Sequence, residues 1–150
     1  MPPFNAHSWK ELVANSTRDA EFGPTADENQ LAIAERDLGV PLPQSLREFL
    51  LEADGLMGRY SQVIWPAADV ARRNREFRTE PGFRRLYMPF DHLLFFGQDG
   101  GGDQFAYAIH ANGEIRKRDI YRWDHETDAR LWFAAHLEQF LERVLNPTEE

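Results

Sequence analysis

Between Leu93 and Glu126 the chain reads LLFFGQDGGGDQFAYAIHANGEIRKRDIYRWDHE, and no other stretch restricts the possible folds as strongly. Two runs with strand character, Leu93–Phe96 and Gln104–Ile109, flank three consecutive glycines held between Asp99 and Asp103. Glycine admits positive φ and close backbone approach, so the chain can turn sharply between the two runs. Asn112-Gly113 is the pair that a tight hairpin favours, which brings a further strand, Glu114–Tyr121, back beside the second. Antiparallel strands in sequence are therefore expected, and the rest of the chain must cover their apolar faces.

Helical periodicity supplies that cover on both sides. Ser8 can cap a short helix through Val13 with Trp9, Leu12 and Val13 on its buried side. A polar loop over residues 15–25 follows. Thr25 and Glu28 stand at capping-box spacing before a helix in which Leu31, Ala34 and Leu38 share a face. Gly39 suits its end, and Pro41 and Pro43 forbid continuation. The next helix runs from about Pro43 to Ala53, gathers Leu46, Phe49 and Leu50, and ends at Asp54-Gly55. Gln62–Trp65 reads as a short strand, and Pro66 opens a helix to about Phe77. Residues 79–91 read as irregular, with Pro81-Gly82 and Pro89. From Asp128 a final helix carries Phe133, Leu137, Phe140, Leu141 and Val144 on one stripe and stops at Asn146-Pro147. The expected fold is α+β: a single domain over residues 1–150, with N-terminal helices, a predominantly antiparallel sheet and a C-terminal helix packed on it.

Charge is partitioned along the chain. The net charge is −8, but residues 1–55 carry −6 and residues 123–150 carry −5, while residues 56–122 carry +3. Arginines cluster at Arg72, Arg73, Arg75, Arg78, Arg84 and Arg85, and basic residues again at 116–118. An acidic field repels nucleic acid and favours a basic partner, although acidity also serves solubility alone. Cysteine is absent, which excludes disulfides, thiolate chemistry and zinc–cysteine sites. The opening residues Met1–His7 lack the basic and apolar regions of a signal peptide, and no apolar run approaches membrane-spanning length. A cytoplasmic protein is the expectation.

Candidate chemistry is sparse. Asp99 and Asp103 invite a calcium reading, but the Asp-x-Asp-x-Asp-Gly order of a calcium loop is missing, so capped turns explain them better. The glycine loop also lacks the Lys-Ser/Thr of a phosphate-binding loop. His125 and Glu126 suggest acid–base chemistry, against which stands a helix-capping role at the entrance to the last helix. His110 and His136 are isolated, and Ser8, Ser16, Ser45 and Ser61 lie in no nucleophile motif. No enzyme and no cofactor is expected.

Three blocks in fixed order carry a family resemblance. The first is Leu31-x-x-Ala34-Glu35-x-x-Leu38-Gly39-x-x-Leu42-Pro43, continued by Leu46, Phe49-Leu50 and Asp54-Gly55. The second is Phe96-Gly97-x-Asp99-Gly100-x-Gly102-Asp103-x-Phe105-x-Tyr107. The third is Ile120-Tyr121-x-Trp123-Asp124-His125-Glu126, followed by the helix ending Phe140-Leu141. Over residues 30–145 the chain resembles the SUKH superfamily, which includes bacterial toxin-immunity proteins and fungal cell-wall-assembly regulators. The resemblance implies an α+β, protein-binding, non-catalytic domain. Asp54 replaces a usual asparagine, and Ile109-His110 stands where an acid often ends the strand; a ligand site relying on that acid is in question here.

The resemblance implies an immunity protein that neutralises a cognate toxin by direct binding, with a basic toxin such as a nuclease matching the acidic charge. The alternative is a regulatory scaffold, or a small-ligand domain using the Gly-Asp loop. Recognition is expected at Asp99, Gly100, Asp103, Tyr107, Trp123 and Asp124, because loops on a rigid sheet commonly bind and tryptophan commonly anchors interfaces. The structural alternative is that the aspartates satisfy local amides and that the aromatic residues are core.

Overall fold

Ser8 does cap the first helix, its hydroxyl accepting from the Glu11 amide at 3.0 Å to start α1 (Trp9–Ser16). Residues 8–145 are described by the computed structural model; the opening Met1–His7 and the stop at Asn146-Pro147 lie outside them. The expected loop that follows holds a two-residue strand, β1 (Glu21–Phe22), which pairs antiparallel with β2 (Leu56–Met57). Helix α2 (Glu28–Leu38) starts two residues later than the Thr25 spacing suggests. Asp27 caps it, and Gln30 returns a bond to the Asp27 amide, so an overlapping acid–amide pair outcompetes Thr25 and Glu28. Leu31, Ala34 and Leu38 are buried as expected, and Gly39 ends the helix at φ 78°. Helix α3 (Gln44–Glu52) buries Leu46, Phe49 and Leu50.

Strand β3 (Gln62–Ile64) completes a three-stranded antiparallel sheet in the order β1-β2-β3. Pro66 then leads into α4 (Ala67–Thr79). Pro66 provides no side-chain cap; Asp54 does so from a distance, its Oδ1 accepting from the Ala67 amide at 2.7 Å. Residues 79–91 are not wholly irregular: Pro81 sits at the first position of a short helix, α5 (Pro81–Leu86), which needs no amide there.

A second antiparallel sheet follows in the order β4 (Leu93–Gln98), β5 (Gln104–Ala108), β6 (Ile120–Trp123), β7 (Arg130–Ala134). The turn at Asn112-Gly113 forms, with Gly113 at φ 85° and the His110 amide donating to the Glu114 carbonyl at 2.8 Å, but residues 114–119 form no strand. The strand starts at Ile120 because the register aligns Tyr107 with Ile120 and Gln104 with Trp123. The last helix does not begin at Asp128. That residue takes φ 65°, which a right-handed helix cannot continue, and the chain runs extended as β7 before α6 (Leu137–Leu145). Phe133 nevertheless joins the expected apolar stripe, its ring 4.9 Å from Phe105 and 6.0 Å from Phe140. His125 and Glu126 accordingly lie in the β6–β7 turn and cap no helix.

Both faces of the four-stranded sheet are covered. Phe140 of α6 meets Phe96 and Phe105 on one face, while Phe77 of α4 meets Phe95 and Trp123 on the other. Each ring so buried contributes about 1.5–3 kcal/mol of hydrophobic stabilisation. Helix α6 also packs on α1 and β7. Gly97 lets β3 reach β4, since a Cβ there would lie 1.9 Å from the Val63 carbonyl oxygen. Among the described residues no helix is long and apolar enough to cross a membrane.

Candidate functional site

The β4–β5 and β6–β7 loops meet at one end of the sheet. In the first, the Asp99 amide donates to the Asp103 carbonyl at 3.1 Å, and Asp99 Oδ1 accepts from the amides of Gly101 (2.8 Å) and Asp103 (3.1 Å). Asp99 is thus an Asx-type cap of its own glycine turn. Gly102 takes φ 107°, and a Cβ there would stand 2.7 Å from the His125 ring, so conformation and space both demand glycine.

The second loop uses the same device. Asp124 Oδ1 accepts from the amides of Glu126 at 2.9 Å and Thr127 at 3.3 Å, and the Asp124 carbonyl accepts from Asp128 at 2.8 Å. Asp128 fastens this loop to the aromatic core. Its carboxylate accepts from Trp123 Nε1 (2.7 Å), Arg130 Nη2 (2.9 Å) and the Met88 amide (2.9 Å). Burial pushes its pKa up, yet these donors outweigh burial and hold it below the usual value. The Tyr87 hydroxyl donates to the His125 carbonyl at 3.1 Å.

Asp103 joins the two loops. Only 6 % exposed, it is with Asn74 one of the two buried polar residues among those described. Its Oδ2 accepts from Arg122 Nε at 2.8 Å, and Arg122 Nη2 lies at the same distance. Its Oδ1 faces the His125 amide at 3.2 Å and His125 Nδ1 at 2.7 Å. Burial pushes the Asp103 pKa up, but bonds from the His125 side chain and amide and from Arg122 hold it below the ordinary carboxylate range. The Asp103 hydrogen bond in turn raises the His125 pKa, against a smaller desolvation effect.

Asp103, Asp124 and His125 present candidate metal-ligating atoms within 4.8 Å of one another. Both Asp103 oxygens and Asp124 Oδ1 are already engaged, and the Arg122 cation sits on the same carboxylate. A metal ion would have to displace Arg122 or His125. As built, the cluster orients two loops and leaves parts of Asp99 and Asp124 accessible.

The structure brings Asp99, Gly100, Asp103 and Asp124 to this end of the sheet and puts the aromatic pair in the core. Tyr107 packs its ring 5.0 Å from Phe96, and its buried hydroxyl has no hydrogen-bond partner among the described residues. Burial, aided by Glu138, raises its pKa. Trp123 is edge-on to Phe77, Tyr87, Phe90 and Phe95. Gly100 is exposed beside Tyr60, an 80 % exposed ring with the Arg59 guanidinium 5.6 Å away. Sequence reasoning missed Arg122, Asp128 and Tyr60. The β5–β6 register would have found Arg122 next to the start of β5; the Asp124-x-x-x-Asp128 spacing hinted at a capped turn; Tyr60 left no local signal.

N-terminal helices, two antiparallel sheets and a closing helix, with paired loops latched by a buried aspartate, define the class as an α+β domain built around loop-bearing strand ends. The chain belongs to the SMI1 / KNR4 family (SUKH-1), which it matches over residues 25–143. That family includes immunity proteins. No curated protein matches the chain.

Proposed function

We propose that this chain is a cytoplasmic immunity protein that binds a toxin protein stoichiometrically and blocks it without catalysis. The loop end of the four-stranded sheet forms one edge of the contact. The observation that carries this is the latch at Asp103, which ties both loops together before any partner arrives and lowers the ordering cost of binding. Asp99, Gly100 and Asp124 make the contact, beside exposed Glu126 and Tyr60. Asp103, Tyr107 and Trp123 act from beneath, by holding the loops and the strands in place. Accessible carboxylates on a chain of charge −8 suit a basic toxin such as a nuclease, with arginine and lysine as their partners.

The test expresses the chain beside the toxin encoded next to it. Restored growth and co-purification are expected. The double variant Asp99→Asn, Asp124→Asn keeps the turn-capping oxygens while removing charge. It is expected to associate about tenfold more slowly at low salt, with the difference shrinking at high salt. Undiminished killing without co-purification would remove that toxin as partner. An unchanged association rate in a normally folded variant would remove the electrostatic edge.

A further inference from the structure

Helices α4 and α5 carry six arginines, and among the described residues three of them pair with other side chains. Arg72 pairs with Asp69 and Glu76, and Arg75 with Asp37. Arg73 lies 4.7 Å over the Trp65 ring and donates to Gln98 Oε1. Arg78, Arg84 and Arg85 form no ion pair among the described residues, and they gather where the last turn of α4 meets α5. Cations at a helix C-terminus offset its dipole, which accounts for some of this clustering. It does not account for Arg78. That side chain donates from Nη2 to the Leu93 carbonyl at 3.0 Å, while its Nε is buried with no hydrogen-bond partner among the described residues. Burial lowers the Arg78 pKa, with the Asp91 carboxylate opposing, yet a guanidinium stays charged. A partly desolvated cation with an unfilled donor is costly unless an anion completes it.

A pocket of about 310 Å³ opens at this place. Phe77, Phe83, Tyr87 and Phe90 line it together with Arg78, Arg84 and the exposed Asp91, so two guanidinium groups face one carboxylate there. Arg84 uses Nε on the Arg78 carbonyl at 3.2 Å, which steadies it beside the pocket and leaves its terminal nitrogens for a ligand. Leu86 and Met88, 73 % and 59 % exposed, add apolar surface alongside. The volume is at the low end for a small-molecule site, and it suits one anchoring side chain inserted from a larger body.

We propose that this pocket receives an aspartate or glutamate side chain, with an apolar residue next to it, from an extended segment of a partner protein. The carboxylate takes the free donors of Arg78 and Arg84, and the apolar neighbour lies on the aromatic wall and Met88. This site adjoins the β6–β7 loop through Tyr87 and Met88, but it asks for a ligand of opposite charge, so its test is independent of the toxin reading.

The test is a titration of the nitrogen-15-labelled full chain, followed by amide chemical shifts, with the peptide acetyl-Phe-Glu-Leu-Asp-amide and its uncharged counterpart acetyl-Phe-Gln-Leu-Asn-amide. Saturable shifts centred on residues 77–91, with smaller ones at the contacting residues 93 and 123–128, are expected for the acidic peptide, with binding about tenfold weaker for the uncharged one. Arg84→Gln, a change at an exposed position, is expected to weaken binding by about tenfold, and Arg78→Gln by at least as much. If Arg78→Gln does not fold, Arg84→Gln alone decides. Equal binding of the two peptides, shifts centred away from this pocket, or an unaffected Arg84→Gln variant would overturn the proposal. So would inorganic phosphate or N-acetylphenylalanine binding as tightly as the peptide, because the pocket would then be a general small-anion site.

Discussion

Asn74 does for β4 what a neighbouring strand would do. It is 1 % exposed on α4, its Oδ1 accepts from the Phe95 amide at 2.8 Å, and its Nδ2 donates to the Phe95 carbonyl at 2.8 Å and to Val70 at 2.7 Å. Beside it, the Trp65 amide bonds the Phe96 carbonyl and Arg78 bonds that of Leu93. Together these close the outer edge of the sheet, which would otherwise present unpaired backbone. Asn74→Ala strands two buried backbone groups, each costing about 1–3 kcal/mol, so a loss of roughly 2–6 kcal/mol is expected. Against a stability of about 5–15 kcal/mol for a domain of ordinary size, that is a large fraction.

Urea unfolding reads the loss as a lower midpoint at constant m. Asn74→Asp sharpens the test, since it keeps an acceptor for the Phe95 amide but turns a carboxylate on two carbonyls. Its ionised form is disfavoured in the fold, so its folded pKa is raised above its unfolded value. The resulting destabilisation is present at neutral pH and is relieved as pH falls through that folded pKa. A cost below about 1 kcal/mol for Asn74→Ala, at unchanged m, would mean that water satisfies the β4 edge and that Asn74 is not its substitute strand.

The latch makes stability depend on pH in two directions. The lowered Asp103 pKa contributes stability above its ordinary value of 3.8 that is lost as pH falls through the folded value. The raised His125 pKa contributes stability below 6.5 that is lost as pH rises through the folded value. Melting temperatures of the wild type across this range are expected to peak between those limits, and Asp103→Asn to flatten both arms; an unaltered profile in that variant would refute the latch. Gly97→Ala is expected to cost more than about 2 kcal/mol, because the new Cβ meets Val63 backbone rather than a movable side chain. Urea titration checks it, and a near-neutral result would mean that β3 is free to shift away from β4.

Where local chemistry decides the backbone, the residues announced it: the Ser8 cap, Gly39 at positive φ, and the apolar faces of α2 and α3 all stand in the sequence. Where two local signals compete, the sequence was ambiguous. Thr25-x-x-Glu28 and Asp27-x-x-Gln30 overlap, and only the packed helix selects the second. The stripe from Phe133 to Val144 fits one helix, yet Asp128 in the left-handed region and the pairing of β7 with β6 extend its first part. The site shows the same division. Gly-Asp turns are local and were legible, whereas the Asp103–Arg122–His125 contact spans about twenty residues and depends on the register of β5 with β6. Burial of Tyr107 and Trp123 follows from helices covering both faces of the sheet, which no single strand pattern encodes.

Covering both faces has a consequence for recognition. Helices cover the middle of both sheet faces and leave Leu131 and Trp132 of β7 exposed, so the proposed partner meets strand ends, edges or the covering helices. At the strand ends the aspartates divide the labour. Asp103 surrenders its charge to Arg122 and His125 and so fixes shape, whereas Asp99 and Asp124 use one oxygen on local amides and keep the rest of their carboxylates toward solvent. Shape and charge are therefore separable in this surface. Loss of the buried latch lets the loops disorder, so that binding must order them, and shortens the life of a complex. Loss of an accessible carboxylate leaves the loops ordered and slows the encounter instead. On the proposed reading, such a surface gains specificity from backbone geometry and speed from charge.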